Sequence, residues 1–132
     1  MLYLSDLMIV ATGGAIGSVL RYLLAVLSAR LAGGSSLAGT LAANLLGCFA
    51  IGLLAAAVAN HPEWLSPRAV LGLRVGVLGG LTTFSTFAAE SVLLVDQGRL
   101  HWMALYVAAS VGLGLLAVWA GMQWVNGRGA HG

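Results

Sequence analysis

The chain has 132 residues, of which 60% are hydrophobic, 8% are charged and 19 are glycine. Soluble domains carry about a quarter charged residues, whereas long apolar stretches rich in glycine belong in lipid, where small side chains let helices approach closely. The composition is that of an integral membrane protein. Its net charge of +2 arises from six arginines, no lysine and four acids, with no block of like charge, which argues against a nucleic-acid partner.

A single cysteine, Cys48, rules out a disulfide or a thiolate metal cluster within one chain. The histidines, His61, His101 and His131, lie far apart without metal-ligand spacing and read as solvated loop or tail residues. About 20 apolar residues cross a bilayer, and the hydrophobic runs divide into four such spans, near 7–30, 38–59, 68–95 and 101–125. Together they form one four-helix transmembrane unit over residues 1–125, followed by a short polar tail, 126–132, expected to fray.

The first run is read as a retained helix and not a signal peptide, because Met1 to Met8 carries Asp6 and no basic residue. Within it, Gly13, Gly17 and Arg21 recur at intervals of four and share a helical face, with Gly14 and Ser18 beside them. The glycines form a packing stripe. Arg21 is costly at this depth and must pair, snorkel or line a wet cavity, where it would serve as a cationic vestibule for an anion. A turn of Gly33-Gly34-Ser35-Ser36 closes the span.

In the second span Thr40 and Asn44 lie one turn apart, followed by Gly47, Phe49 and Gly52. A carboxamide inside the hydrocarbon needs partners. Asn44 is therefore either a hydrogen bond between helices or part of a pore lining. The turn Asn60 to Trp64, with Ser66-Pro67, ends this span.

The third span contains Gly79-Gly80-Leu81-Thr82-Thr83-Phe84-Ser85-Thr86-Phe87. Adjacent glycines leave the backbone unrestrained and adjacent hydroxyls compete for carbonyls, so the helix is expected to break between Gly79 and Thr83. Loosened backbone in a bilayer must be satisfied by protein, water or an ion, and carbonyls turned inward at mid-membrane are cation ligands. Phe84 and Phe87 are three apart and read as core residues. Their ring edges are also partly positive and able to meet an anion. Glu90 lies two turns beyond Thr83, with a structural hydrogen bond to a helix end or an arginine as its expected role.

After the turn Asp96-Gln97-Gly98-Arg99, the fourth span aligns the hydroxyls of Tyr106 and Ser110 along one face, which Gly114 continues. Trp64, Trp102, Trp119 and Trp124 mostly lie near span ends, where indoles anchor at headgroups.

Orientation should follow the arginines. Arg68, Arg74 and Arg128 lie toward the side of the termini and second loop, and Arg21, Arg30 and Arg99 toward the other. Three against three leaves no bias, so insertion both ways round, and an antiparallel homodimer of inverted copies, is a reasonable expectation. No acid lies near the centre of any span, so a proton-coupled or cation-drug exporter lacks its central carboxylate. Neither is there a nucleophile–base constellation that would suggest an enzyme.

The segments Gly13 to Tyr22, Gly39-Thr40-Leu41 with Asn44, Gly47, Phe49 and Gly52, and Gly79 to Phe87 with Glu90 resemble those of the Fluc (CrcB) fluoride channels. The similarity covers all four spans in order, and the third-span motif is its most specific part. The resemblance implies a dual-topology antiparallel homodimer in the inner (plasma) membrane, with two pores that passively release cytoplasmic fluoride and so relieve its toxicity. By position, Asn44 would be a pore donor and Phe84 and Phe87 the aromatics facing the ion. Thr83, Ser85, Tyr106 and Ser110 would belong to a polar track, and the backbone carbonyls of Gly79 and Thr82 would hold a central structural sodium ion. Gly114 stands where many relatives place a further hydroxyl. The competing reading is a small dual-topology multidrug or cation exporter.

Overall fold

Asp6 and Leu7 donate their backbone N–H groups to the Tyr3 carbonyl, and from there one uninterrupted helix, α1 (Leu4–Leu31), runs the length of the first apolar segment. The computed structural model describes residues 3–31 and 36–129, with side chains to 127. Gly33, Gly34 and Ser35 of the first turn, the Arg128 side chain, and Ala130 to Gly132 with His131 lie outside the described residues. The second helix, α2, spans Ser36–Asn60.

The third span is composite. Ser66 caps the short helix α3 (Pro67–Leu71): its hydroxyl accepts from the Ala69 N–H at 3.2 Å, and Pro67, which has no N–H to leave unpaired, takes the first position. A π-helical segment follows (Gly72–Leu78), then a single turn, α4 (Gly79–Leu81). Thr82 (φ −83°, ψ 154°) and Thr83 (φ −149°, ψ 114°) are extended, and helix resumes as α5 (Phe84–Asp96). Gly98 then adopts φ 69°, the left-handed conformation that costs glycine least, and Arg99 N–H closes on the Leu94 carbonyl at 2.8 Å. The fourth span, α6, covers Leu100–Gly129.

Two differences from the expected elements stand out. The glycine pair stays helical, and the residues that leave the helix are the threonines, whose hydroxyls offer the backbone alternative partners. At the C-terminus the helix continues past residue 125 to Gly129. There Asn60 Nδ2 donates to Asn126 Oδ1 at 2.8 Å, joining the ends of α2 and α6.

Among the described residues four helical spans are long and apolar enough to cross a membrane, and the protein is a multi-pass membrane protein. Little of the apolar surface faces inward. The most apolar stretch of α2 is 28% buried against 11% for each of the other spans, so α2 is the central element. Glycine permits the close contacts. Gly13 and Gly17 are buried against the third span, where a Cβ on Gly13 would stand 2.7 Å from the Gly72 carbonyl oxygen and one on Gly17 would meet the Val77 carbonyl oxygen. Between α2 and α6, Gly52 and Gly121 lie directly against the backbone of Val118 and Phe49. On the side of the termini, Arg68 Nε donates to Asp6 Oδ1 at 3.2 Å and ties the start of α3 to that of α1.

Candidate functional site

The extended residues Thr82 and Thr83 interrupt the i to i−4 ladder inside the bilayer, where each unsatisfied backbone group costs several kcal/mol. Asn44 answers for one residue completely. Its Oδ1 accepts from Thr83 N–H at 2.8 Å, and its Nδ2 donates to the Thr83 carbonyl at 3.1 Å, so one carboxamide pairs with both backbone groups as a neighbouring β-strand would. Asn44 thus joins α2 to the third span, and its side chain also borders a groove. Gly47, one turn further along α2, leaves room for the Thr82 methyl group to lie directly against the helix.

Redirected amides release particular carbonyls. In an unbroken helix the Thr83 N–H would close on Gly79 and the Thr86 N–H on Thr82. Here the first donates to Asn44, and the second donates to the Thr83 hydroxyl at 3.2 Å, which makes Thr83 the N-cap of α5. The amides that would have occupied the carbonyls of Gly79 and Thr82 are thus engaged elsewhere. The neighbouring acceptors are occupied: Leu78 receives the Thr82 N–H (3.1 Å) and hydroxyl (2.9 Å), and Gly80 receives the Arg21 Nε–H (3.0 Å). That arginine caps the negative end of a half-helix, a favourable placement for a cation. It also lines a cleft of about 250 Å³ with Ser18, Tyr22, Thr40, Thr83 and Thr86.

On the other side of the break lies an open groove of about 520 Å³. Asn44, Thr83, Phe84, Phe87 and Ser110 line it, together with Gly79, Thr82, Cys48 and Arg74. The Phe84 and Phe87 rings stand 5.7 Å apart at 50°, and Phe87 meets Tyr106 at 5.3 Å and 51°, so the aromatics present edges as well as faces. Phe84 is 79% exposed on the single chain. Ser85 is exposed beside it, its hydroxyl 3.3 Å from that of Thr83.

The polar track differs from the expected one. Tyr106 is buried, and its hydroxyl donates to Glu90 Oε2 at 2.7 Å; the Thr40 hydroxyl donates to Glu90 Oε1 at 3.1 Å. Glu90 therefore binds two hydroxyls from α2 and α6, not a helix end or an arginine. Ser110 lines the groove and is not paired with Tyr106. Its Oγ is buried with no hydrogen-bond partner among the described residues, although nearly all buried polar atoms have one. Gly114 packs at ordinary distance from Cys48, where a Cβ would lie 3.5 Å from Sγ.

Arg74 was counted for orientation by sequence reasoning and given no place in the site, yet it borders the groove. The argument applied to Arg21, a charge inside a span, would have found it. Thr86 was missed as well; its hydroxyl accepts from that of Thr83 at 3.0 Å.

Residues 8–122 match the family described as CrcB-like protein, Camphor Resistance (CrcB). A protein of Agrobacterium fabrum named fluoride-specific ion channel FluC is 49% identical over 117 residues, covering 89% of this chain and 93% of that one. One of the same name from Allorhizobium ampelinum is 45% identical over 119 residues, covering 90% and 94%, and one from Shewanella halifaxensis is 41% identical over 125 residues, covering 95% and 99%. The match of residues 8–122 and these relatives, similar over nearly the whole length, show that the chain belongs to the CrcB family.

Proposed function

We propose that the chain is a passive, fluoride-selective channel that lets cytoplasmic fluoride leave the cell. The observation that carries a conduction path is the set of uncommitted donors along the groove: the orphaned Ser110 hydroxyl and the second Nδ2 hydrogen of Asn44, beside the ring edges of Phe84 and Phe87. The identity of the ion follows the name shared by the relatives. Fluoride is small and strongly hydrated, so a pore must replace its water with close donors that still release it. At the break itself, neutral hydroxyl, amide and ring-edge donors do so, with the Arg74 guanidinium standing at one border of the groove. The N-terminus of α5 points its positive end at the same place. The exporter alternative is not favoured, because the relatives are named fluoride-specific ion channels and the first span carries no central carboxylate.

The working unit in this reading is an antiparallel homodimer in the inner membrane. Phe84, exposed on one chain, and the open groove at its side are the surfaces a second copy would cover. The balanced arginines favour an inverted copy. The carbonyls of Gly79 and Thr82, released from the helix ladder, suit a sodium ion shared between copies, since a carbonyl oxygen without its amide is a hard-cation ligand. Once bound, the ion would fix the break and raise the local potential for anions.

Liposomes containing only this protein and loaded with fluoride, with a potassium ionophore to balance charge, test the reading with a fluoride electrode. Fluoride efflux with chloride retained is expected. Fluoride that stays trapped, while the protein is shown to be folded and dimeric, overturns the channel.

A further inference from the structure

Two arginines stand well inside the spans, Arg21 in α1 and Arg74 in the π-helical segment. They differ in their partners. Arg21 donates to the Gly80 carbonyl, whereas Arg74 has no hydrogen bond, ion pair or ring contact among the described residues. Arg74 lies about midway between Pro67, where the third span begins, and Thr82, where it breaks. A guanidinium at that depth is costly unless it pairs, snorkels or meets water or an anion, and Arg74, exposed on the single chain, borders the groove.

Its surroundings favour an anion. Arg74 borders the groove that holds Asn44, Phe84 and Ser110, and none of the residues lining that groove is acidic. It also borders an adjoining cleft of about 220 Å³ with Ile51, Val58 and Val70. Val58 lies near the end of α2 and Val70 near the start of α3, so this cleft leads from the groove toward the second loop. Arg21 occupies the opposite arrangement: its cleft contains Thr40, near the start of α2, and leads toward the first loop. Thr83 lines both the groove and the Arg21 cleft. The order along the molecule is therefore Arg74, groove, Thr83, cleft, Arg21, with one guanidinium on either side of the break.

We propose that Arg74 is an anion-recruiting residue of the conduction path, concentrating fluoride at the end of the groove that faces the second loop. The proposal rests on the channel reading given above. A cation facing low-dielectric walls focuses its field and raises local anion concentration, an effect that added salt screens. Arginine suits the task because its charge is permanent, whereas a lysine at that depth would lose its proton more readily. In an inverted pair each membrane face would present one Arg21 and one Arg74, so recruitment would be equal from both sides.

The test measures initial fluoride efflux from liposomes at low millimolar fluoride, with ionic strength raised by a salt of an impermeant anion. Wild type, Arg74→Gln, Arg74→Met, Arg74→Glu and Arg74→Lys are compared as folded protein. At low salt the two neutral variants are expected to slow efflux by about tenfold and Arg74→Glu by more, and the gap should narrow as salt rises. Lysine should recover most of the salt-sensitive part. Neutral variants that match wild type at all salt concentrations, or that lose flux by one factor independent of salt, overturn the proposal. Using two neutral replacements keeps the test open if one of them fails to assemble. A wild type that does not pass fluoride defeats the channel reading itself; a conducting wild type matched by its neutral variants defeats only the role of Arg74.

Discussion

The glycine seams and the threonine break are both departures from an ordinary apolar helix, and they solve opposite problems. At the seams, Gly13 and Gly17 against the third span and Gly52 and Gly121 between α2 and α6, the absence of a side chain lets backbones touch while the chain stays helical on both sides. At Thr82 and Thr83 the ladder is given up, and side chains from elsewhere replace it: Asn44 pairs both backbone groups of Thr83, and Arg21 takes the Gly80 carbonyl. A seam contributes packing and exposes no chemistry. The break contributes released carbonyls and oriented donors, and its stability depends on a few long-range hydrogen bonds. Substitutions at seams should therefore alter the amount of folded protein, and substitutions at the break the flux through each folded molecule.

The largest effect is expected at Asn44. Leucine there would strand the N–H and C=O of Thr83 in the bilayer at several kcal/mol each, so Asn44→Leu should abolish both flux and stable folding. Aspartate keeps the acceptor for Thr83 N–H and replaces the donor with negative charge. Asn44→Asp should elute as wild type does on size-exclusion chromatography and show no fluoride efflux. Unchanged efflux in Asn44→Asp would remove this side chain from the pore and leave it a structural residue only.

The second effect tests the seam. A Cβ at Gly17 would press on the Val77 carbonyl oxygen and stand 2.8 Å from the Leu81 N, both backbone atoms that cannot swing aside. Gly17→Ala should cost about 1–3 kcal/mol through overpacking, read as a lower thermal unfolding midpoint, with flux per folded protein maintained. Gly14 has open space at its Cβ position, and Gly14→Ala should fall within about 0.5 kcal/mol of wild type. Equal losses at both positions would show that the seam is not where α1 is held.

How much of this was legible in the sequence follows the same division. The seam glycines of α1, Gly13 and Gly17, could be read from their interval of four, and the break from hydroxyls and glycines in a span, because both signals are local; Gly121, which closes the seam between α2 and α6, could not. The exact point of departure was not. Gly79-Gly80 looked the weaker pair, yet Gly80 is held in helix by a tertiary contact, its Cβ position lying 2.5 Å from the Gly14 carbonyl oxygen, while Thr83 is drawn out by Asn44. The π-helical segment Gly72–Leu78 had no sequence sign either, since Gly72 and Gly76 at an interval of four suit an α-helix equally well. Glu90 needed partners, but Thr40 and Tyr106 lie 50 and 16 residues away and were known as hydroxyls, not as its donors.

The third effect concerns that network. Tyr106→Phe removes one of two donors to Glu90 while keeping the ring against Phe87, and should cost about 1–3 kcal/mol of stability, the penalty for a buried acceptor left short of a partner. If the network only fastens α5 to α2 and α6, thermal midpoint falls and flux per folded protein stays. A larger fall in flux than in folded protein would place Tyr106 with the break and not with the seams.

The smallest effect is expected where the comparison no longer applies, at the exposed ends of α2 and α6. Asn60 Nδ2 and Asn126 Oδ1 form a 2.8 Å hydrogen bond, but both residues are open to solvent, and water can replace either partner. Asn60→Ala should lower stability by about 0.5 kcal/mol or less, leave flux intact, and speed backbone amide exchange over the last turn of α6, where the helix extends beyond its apolar stretch. Exchange unchanged from wild type would show that this last turn persists by helix propagation alone and owes nothing to α2.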